Sequence, residues 1–266
     1  MTINFFNLIT DTVKTALAED VGSGDVTAKL IADHQQAKAT VITRQQAIIA
    51  GKPWVDEVIS QVDPGIEITW LVEEGASVAA GTELFTCSGK AASILTAERT
   101  SLNFLQTLSG TATITRRYAD LIRHTSAKLL DTRKTIPGLR LAQKYAVSVG
   151  GGLNHRVGLF DAFLIKENHI LAAGSIAAAI QKARTLAPEL RLEIEVESLA
   201  ELDEALQEAP DWIMLDNFSL SDLHLAVANR PANVLFEASG GIDGEDELIA
   251  IAETGVDFIS MGEIGR

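Results

Sequence analysis

Between residues 131 and 169 the chain gathers six basic residues, Arg133, Lys134, Arg140, Lys144, Arg156 and Lys166, against three acidic ones, Asp131, Asp161 and Glu167. His155 and His169 fall in the same stretch. The whole chain carries a net charge of −14, so a local excess of positive charge is informative. It reads as a pocket for a small anion, because the planar guanidinium fork matches carboxylate and phosphate oxygens. Arg140 and Lys144 are equally well read as ordinary surface charges of a helix. Arg133, Lys134 and Lys166 are harder to dismiss, because each follows a predicted strand.

A second group is acidic. In the run 192–197 three glutamates, Glu193, Glu195 and Glu197, alternate with apolar residues and therefore share one face of a strand. If the other face packs on helices, the carboxylates point into the interior, where each needs a cation or a metal. Glu193 is expected to pair with a basic side chain. Glu195, with Asp216 from the next strand, could hold Mg²⁺ through oxygen ligands, with a structural ion pair as the plainer reading. A third group is small: Ser239-Gly240-Gly241 and Gly262 would let backbone N–H groups approach a phosphate, and a following helix N-terminus would add its dipole.

The elements that position these groups follow a pattern. From residue 128 on, strand candidates at 128–131, 162–166, 192–197, 212–216, 234–238 and 257–260 alternate with helices. Ser175 is a candidate cap for one helix, and Ser198 with Glu201 forms a capping box for another. Such alternation implies a parallel sheet with right-handed crossovers, closed into a full or partial barrel or left open and doubly wound. In a barrel the active site stands at the C-terminal strand ends, and every one of the six ends here carries polar or glycine-rich residues, Ser260 at the sixth. No G-x-G-x-x-G follows the first strand, which weakens a dinucleotide-binding reading. Residues 1–110 differ: a first helix, a turn at Gly22–Gly24, and β-like stretches at 39–50, 66–72 and 82–87 separated by glycines suggest a small antiparallel α+β domain. A long helix over 97–123, capped by Thr96 and open to a bend at Gly110, leads into the second domain, 111–266.

Composition limits the partners. At 266 residues and 47% hydrophobic the chain can build a sizeable core. Its charge would repel nucleic acid and acidic membranes. One cysteine, Cys87, forbids an intrachain disulfide, and the start MTINFFNLITDTVK lacks a secretory pattern, so a reducing cytoplasm is expected. No apolar run is long enough to span a bilayer.

Several stretches, taken in order, resemble the quinolinate phosphoribosyltransferases. They are residues 19–27 (EDVGSGDVT), Glu98-Arg99-Thr100 with Asn103, Asp131-Thr132-Arg133-Lys134-Thr135, Asn154-His155-Arg156, residues 164–169 (LIKENH), Glu195-Val196-Glu197, Met214-Leu215-Asp216-Asn217 and residues 237–242 (EASGGI). The resemblance runs along nearly the whole chain. It implies an incomplete α/β barrel beside an N-terminal α/β sandwich domain. It also implies a reaction: quinolinate attacks phosphoribosyl pyrophosphate, with Mg²⁺ present, to give nicotinate mononucleotide, pyrophosphate and CO₂. Arg133, His155, Arg156 and Lys166, helped by Lys134, would bind the quinolinate carboxylates. Arg99 would enter from a neighbouring subunit of a homodimer. Glu195 and Asp216 would face the ribose and the metal–pyrophosphate, and Ser239, Gly240, Gly241 and Gly262, with Ser260, would hold the phosphate end. Lys134, Lys166, Glu195 and Asp216 are the residues expected to act in catalysis. The family continues past its last strand with a further helix, whereas this sequence stops at Gly262-Glu263-Ile264-Gly265-Arg266.

Two other readings are weighed against this one. Lys166 at a strand end could serve a Schiff-base aldolase, although the companion arginines fit an anion better. A non-catalytic anion-binding protein would not need the carboxylates. His34, His124 and His224 show no metal spacing. Cys87 reads as a small buried hydrophobe, and Trp54, Trp70 and Trp212 as core rather than stacking platforms.

Overall fold

The computed structural model describes residues 3–242 and 244–265. The chain divides into two compact units, one of Thr2–Arg116 with Thr135–Gly151, the other of Arg117–Lys134 with Gly152–Arg266.

In the first unit the order is α1 (Ile9–Val21), β1 (Gln36–Ile42), β2 (Ala47–Ile48), α2 (Lys52–Val62), β3 (Glu67–Trp70), β4 (Ser77–Val78), β5 (Glu83–Lys90), α3 (Ala91–Leu121, its end lying in the second unit) and α4 (Arg140–Gly150). An antiparallel sheet of order β1-β5-β3 is accompanied by the short pair β2-β4. Phe85 and Cys87 from β5 join Trp54, Val55 and Val58 from α2 and Phe104, Leu105 and Leu108 from α3 in one core. The β-like stretch 39–50 is broken, with β1 and β2 separated at 43–46. The long helix starts earlier than its sequence suggests. β5 runs directly into α3, so no capping residue is needed at 96, and Thr96 sits inside the helix with its hydroxyl 2.9 Å from Asp25 Oδ2 and 3.0 Å from the Ala92 carbonyl. Gly110 does not end the helix, which runs on to Leu121. Lys144 is wholly buried on α4, so the surface reading fails for it, while Arg140 is half-buried with Nε 3.1 Å from Thr135 Oγ1. Trp54 is core, but Trp70 lies under Lys52, whose Nζ is 5.1 Å from the ring centre.

The second unit contains β6 (Lys128–Leu130), β7 (Ala162–Ile165), α5 (Glu167–Ala173), α6 (Ile176–Leu186), β8 (Arg191–Val196), α7 (Leu199–Gln207), β9 (Trp212–Asp216), α8 (Leu220–Ala228), β10 (Leu235–Ser239), α9 (Glu245–Glu253) and β11 (Phe258–Ser260). Every pair in the six-stranded sheet is parallel, and the order is β6-β11-β10-β9-β8-β7. From β7 to β11 each strand lies beside its predecessor. The order never reverses, so there is no switch point, and an open doubly wound sheet is excluded. A singly wound parallel sheet with right-handed crossovers puts its helices on one face and curls into a barrel. The barrel is incomplete: among the described residues β6 and β7 are edges, and a bridge from Leu130 to Leu153 extends β6 toward the gap.

Period-two alternation then assigns the faces. Leu192, Ile194, Val196, Ile213, Phe236 and Ile259 are fully buried, packing outward onto helices. Glu193, Glu195, Met214, Glu237 and Ser260 point into the barrel, as expected for the β8 glutamates. Ser175 and Ser198 cap α6 and α7 through their hydroxyls. The Glu201 carboxylate, however, accepts from Glu197 N–H rather than from the cap residue's own amide, so only half of the capping box forms. Among the described residues no helix is long and apolar enough to cross a membrane.

Ile194→Ala empties the contact between strand and helix on the outer face. We expect it to cost about 2–5 kcal/mol, read from the urea midpoint of the purified chain; a loss below about 1 kcal/mol would mean that this face does not pack as described.

Candidate active site

The C-terminal ends of the barrel strands enclose a cavity of about 740 Å³. Four cations line it. Arg133 and Lys134 follow β6, Arg156 follows the segment bridged to β6, and Lys166 follows β7. They come from three places in the chain and meet because consecutive strand ends are neighbours in space. Arg156 is held below the usual guanidinium range by burial and by the charge of Arg133, with Glu193 opposing the shift. A dianion arriving here would relieve that repulsion. Lys166 is fixed twice: its backbone N–H donates to His169 Nδ1 at 3.0 Å, and its ammonium is ion-paired to Glu195. His169 therefore orients the chain rather than lining the cavity. An ammonium engaged by a carboxylate is poorly suited to Schiff-base attack, which weakens the aldolase reading.

The acidic wall adjoins Lys166 through Glu195. The carboxylate oxygens of Glu195, Glu197 and Asp216 lie within 4.8 Å of one another. Burial and the nearby charge of Glu195 raise the Asp216 pKa, with Lys166 pulling the other way. Glu197 was not singled out from the sequence beyond its place on the glutamate face; its signal was the spacing of two from Glu195.

The third wall is glycine-rich. Ser239, Gly240, Gly241, Ser260 and Gly262 all line the cavity. Gly240 has φ +91°, and a Cβ there would stand 2.3 Å from Asn217 Oδ1 and 2.8 Å from Asp216 Oδ1. At Gly262 a Cβ would stand 2.7 Å from Lys134 Cδ, so the missing side chain leaves the room that Lys134 uses. One expectation fails. α9 opens with Glu245, Asp246 and Glu247, so its own carboxylates already occupy the positive end of its dipole, and the cradle must act through the loop rather than the helix.

Beneath the cations lies a buried trio. His155 Nε2 is 2.7 Å from Glu193 Oε2 and 3.3 Å from Glu237 Oε2, and both glutamates are wholly buried. Glu193 thus finds the basic partner expected of it. Burial works against charging the imidazole, but the hydrogen bonds and charges of Glu193 and Glu237 outweigh it and raise the pKa to about 9. The Arg156 N–H opposes this, because it donates to His155 Nδ1 at 2.7 Å and needs a bare lone pair there. The excess proton is therefore shared toward Glu193, whose carboxyl is pushed above its usual range by burial and by Glu237. Asp131 is buried as well, accepting the His155 N–H at 2.8 Å and the Asn154 amide at 2.7 Å. Glu237 and Asp131 were legible as polar strand ends and as members of family stretches, without a role of their own. Trp212, read as core, is a platform: Arg191 lies 4.0 Å over its ring and Phe258 stacks on it at 4.2 Å.

Residues 25–109 match the family model "Quinolinate phosphoribosyl transferase, N-terminal domain", and residues 111–266 the C-terminal domain of the same family. The chain belongs to the quinolinate phosphoribosyl transferase family. It is 42% identical to the nicotinate-nucleotide pyrophosphorylase (carboxylating) of Mycobacterium leprae, over 97% of this chain and 93% of that protein. It is 43% identical to a probable nicotinate-nucleotide pyrophosphorylase (carboxylating) of Synechocystis, over 92% of this chain and 84% of that protein. Among solved structures, the nicotinate-nucleotide pyrophosphorylase of Francisella tularensis superposes with a TM-score of 0.94 at 50% identity, covering 99% of this chain and 93% of that one. The family motifs fall into two groups. Those from 131 onward supply the cavity. In residues 19–27, Asp25 instead receives the N–H groups of Thr27 and Ala28 and the Thr96 hydroxyl, tying the glycine turn to α3. Those bonds, led by the one from Ala28, hold the Asp25 carboxyl below its usual pKa. Arg99 is exposed on α3 in the first unit and is not a lining residue of the cavity.

The raised pKa of Asp216 means that its charged form is disfavoured in the folded chain, so its contribution to stability falls as pH rises through the carboxylate range. Asp216→Asn should therefore raise the melting midpoint at pH 7.5 by roughly 1–3 °C while abolishing turnover. A lowered midpoint, measured with chelator present, would show that the carboxylate is held for stability.

Proposed function

We propose that the chain transfers the phosphoribosyl group of phosphoribosyl pyrophosphate to quinolinate and releases CO₂, giving nicotinate mononucleotide and pyrophosphate for NAD biosynthesis. The observation that carries this reading is the meeting of Arg133, Lys134, Arg156 and Lys166 with Glu195 and Asp216 around one cavity of about 740 Å³ in a strongly acidic protein. Such a cavity suits a small dicarboxylate beside a phosphorylated sugar.

The reaction asks three things of these residues. Arg133, Arg156, Lys166 and Lys134 hold the two ring carboxylates, which sets the pyridine nitrogen against the anomeric carbon of the sugar; fixing two reactants in this way lowers the barrier through orientation. As the C–O bond to pyrophosphate breaks, positive charge grows on the ribose, and Glu195 and Asp216 face it. When the carboxylate next to the ring nitrogen leaves as CO₂, its electron pair stays on the ring carbon, the ring nitrogen's positive charge and the surrounding cations stabilise it, and a proton is then taken up there. The serine and glycines of the third wall receive the 5′-phosphate through backbone N–H groups.

Carboxylate oxygens of Glu195, Glu197 and Asp216 grouped within 4.8 Å are a donor set suited to a hard divalent cation. Glu195 and Asp216 would hold Mg²⁺, which when bound neutralises charge on the departing pyrophosphate. One Glu195 oxygen is already engaged by Lys166, which limits that residue to partial ligation. The same reading includes a homodimer with Arg99 supplied by the partner chain, and a cytoplasmic location in keeping with the single free, buried Cys87.

The direct test supplies quinolinate, phosphoribosyl pyrophosphate and Mg²⁺ and follows CO₂ and nicotinate mononucleotide. Formation of both supports the reading; binding of quinolinate with no CO₂ overturns it. Arg133→Ala should abolish turnover with the melting curve unchanged, and full activity in that variant would remove Arg133 from the site. Stripping Mg²⁺ with chelator should abolish turnover reversibly, and unchanged rates would remove the metal.

A further inference from the structure

The glycine-rich wall contains one group that does not suit an anion. Glu263 lines the cavity directly after Gly262, at the end where the proposed reaction seats the 5′-phosphate of phosphoribosyl pyrophosphate. A free carboxylate there would repel a phosphate, and a partly enclosed cavity screens that repulsion less than bulk water does.

The partner of Glu263 comes from outside the cavity. Tyr118 stands near the end of α3, in the same unit as the barrel, and is 6% exposed. Its hydroxyl donates to Glu263 Oε2 at 3.0 Å. Tyr118 is not among the residues that line the cavity, so the bond draws this oxygen toward the protein and away from a ligand. Burial first, and then the bond and charge of Glu263, push the phenol above its ordinary pKa, so it keeps its proton and remains a donor at neutral pH. Arg117 works against that shift, but its own Nε is paired with Glu245 Oε1 at 2.5 Å.

The same bond joins residues 145 positions apart at a place where the backbone needs an anchor. Before it, the Met261 N–H donates to the Leu130 carbonyl at 3.1 Å and fixes the end of β11 against β6. After it, Ile264 and Gly265 are buried in the short 3-10 turn Gly262–Gly265. Gly262 is half-buried and Glu263 exposed, between these two fixed points. We propose that Tyr118 is a positioning residue: its hydroxyl holds the Glu263 carboxylate off the glycine-rich wall and steadies the backbone of Gly262 and Glu263, against which the phosphate end of phosphoribosyl pyrophosphate rests. The inference rests on the proposed function for its ligand, while the latch between the two side chains stands on geometry. Tyr118 itself touches no substrate. Released, Glu263 acts as a charge against the phosphate end and leaves the dicarboxylate end, formed by Arg133, Arg156 and Lys166, as it was.

Tyr118→Phe, Glu263→Gln and the double variant separate charge from scaffolding. Steady-state rates are measured against each substrate at low and high salt, and amide exchange over residues 260–265 is followed in the ligand-free chain. Tyr118→Phe should raise KM for phosphoribosyl pyrophosphate by roughly tenfold, the worth of one hydrogen bond to a charged group, with kcat and KM for quinolinate within about twofold of the parent. That rise should shrink at high salt, because a freed surface charge is screened. Glu263→Gln keeps an acceptor for the hydroxyl and loses the charge, so its KM should be no higher than the parent's. The double variant should return KM to within about threefold of the parent, since the two residues act as one unit. Exchange over 260–265 should quicken in Tyr118→Phe and stay slow in Glu263→Gln. An unchanged KM in Tyr118→Phe, an equal rise for quinolinate, or a double variant as poor as Tyr118→Phe would overturn the proposal. If Tyr118→Phe does not fold, Glu263→Asp, whose shorter side chain leaves the hydroxyl, should show the same salt-dependent rise, and an unchanged KM there overturns the proposal as well. A parent chain that makes no nicotinate mononucleotide sinks the proposed function, while the exchange measurement still decides the latch.

Discussion

A pocket for a small polyanion must keep several cations close together before the polyanion arrives. Like charges a few ångströms apart repel, and a partly dry cavity screens them poorly. The barrel interior meets this constraint by layering charge. At the strand ends stand Arg133, Lys134, Arg156 and Lys166. One layer down, Glu193 and Glu237 are wholly buried with a single histidine between them. Buried carboxylates with incomplete partners are costly by themselves. Placed under a cation cluster, each set lowers the cost of the other: burial and then the repulsion from Arg133 lower the pKa of Arg156, and the charge of Glu193 works against both.

This layering depends on strand order. A singly wound parallel sheet brings the ends of β6 to β11 around one mouth, so residues more than a hundred positions apart become neighbours without long loops. The two-residue period along β8 does the rest: Ile194 and Val196 anchor the strand to its helices, while Glu193 and Glu195 are turned inward at successive depths. Glu193 is deep enough to meet His155, whereas Glu195 is high enough to meet Lys166. One alternating hexapeptide thereby supplies both a structural counter-charge and a carboxylate at the reacting end of the cavity.

Much of this was legible in the residues. The six barrel strands were visible because apolar runs ended repeatedly in polar groups, and the inward glutamates followed from their period alone. Closure into an incomplete barrel was legible only through the family resemblance and not from the alternation itself, because pairing order is a property of three dimensions and the same alternation suits an open sheet. The start of α3 was misplaced, since a threonine looks like a cap wherever it stands and nothing local announces that a strand continues directly into a helix. Glu237 and Asp131 were seen as strand ends but not as partners of His155. Their roles depend on contacts with residues 24 to 82 positions away, for which one sequence holds no sign. Motif membership alone assigns no role: Asp25 lies in a family stretch, and its carboxylate holds a turn to α3.

The glycines of the third wall show how tightly the layers are coupled. Gly240 cannot carry a side chain because Asn217 and Asp216 already fill the space, and Gly262 leaves open the room into which Lys134 extends. The glycine-rich wall, the acidic wall and the cationic wall are therefore not independent modules set side by side. Each is shaped by what its neighbour leaves vacant. That accounts for glycine at positions where backbone conformation alone would not demand it: Gly262 has an ordinary φ, and it is the lysine beside it, rather than the turn, that excludes a methyl group.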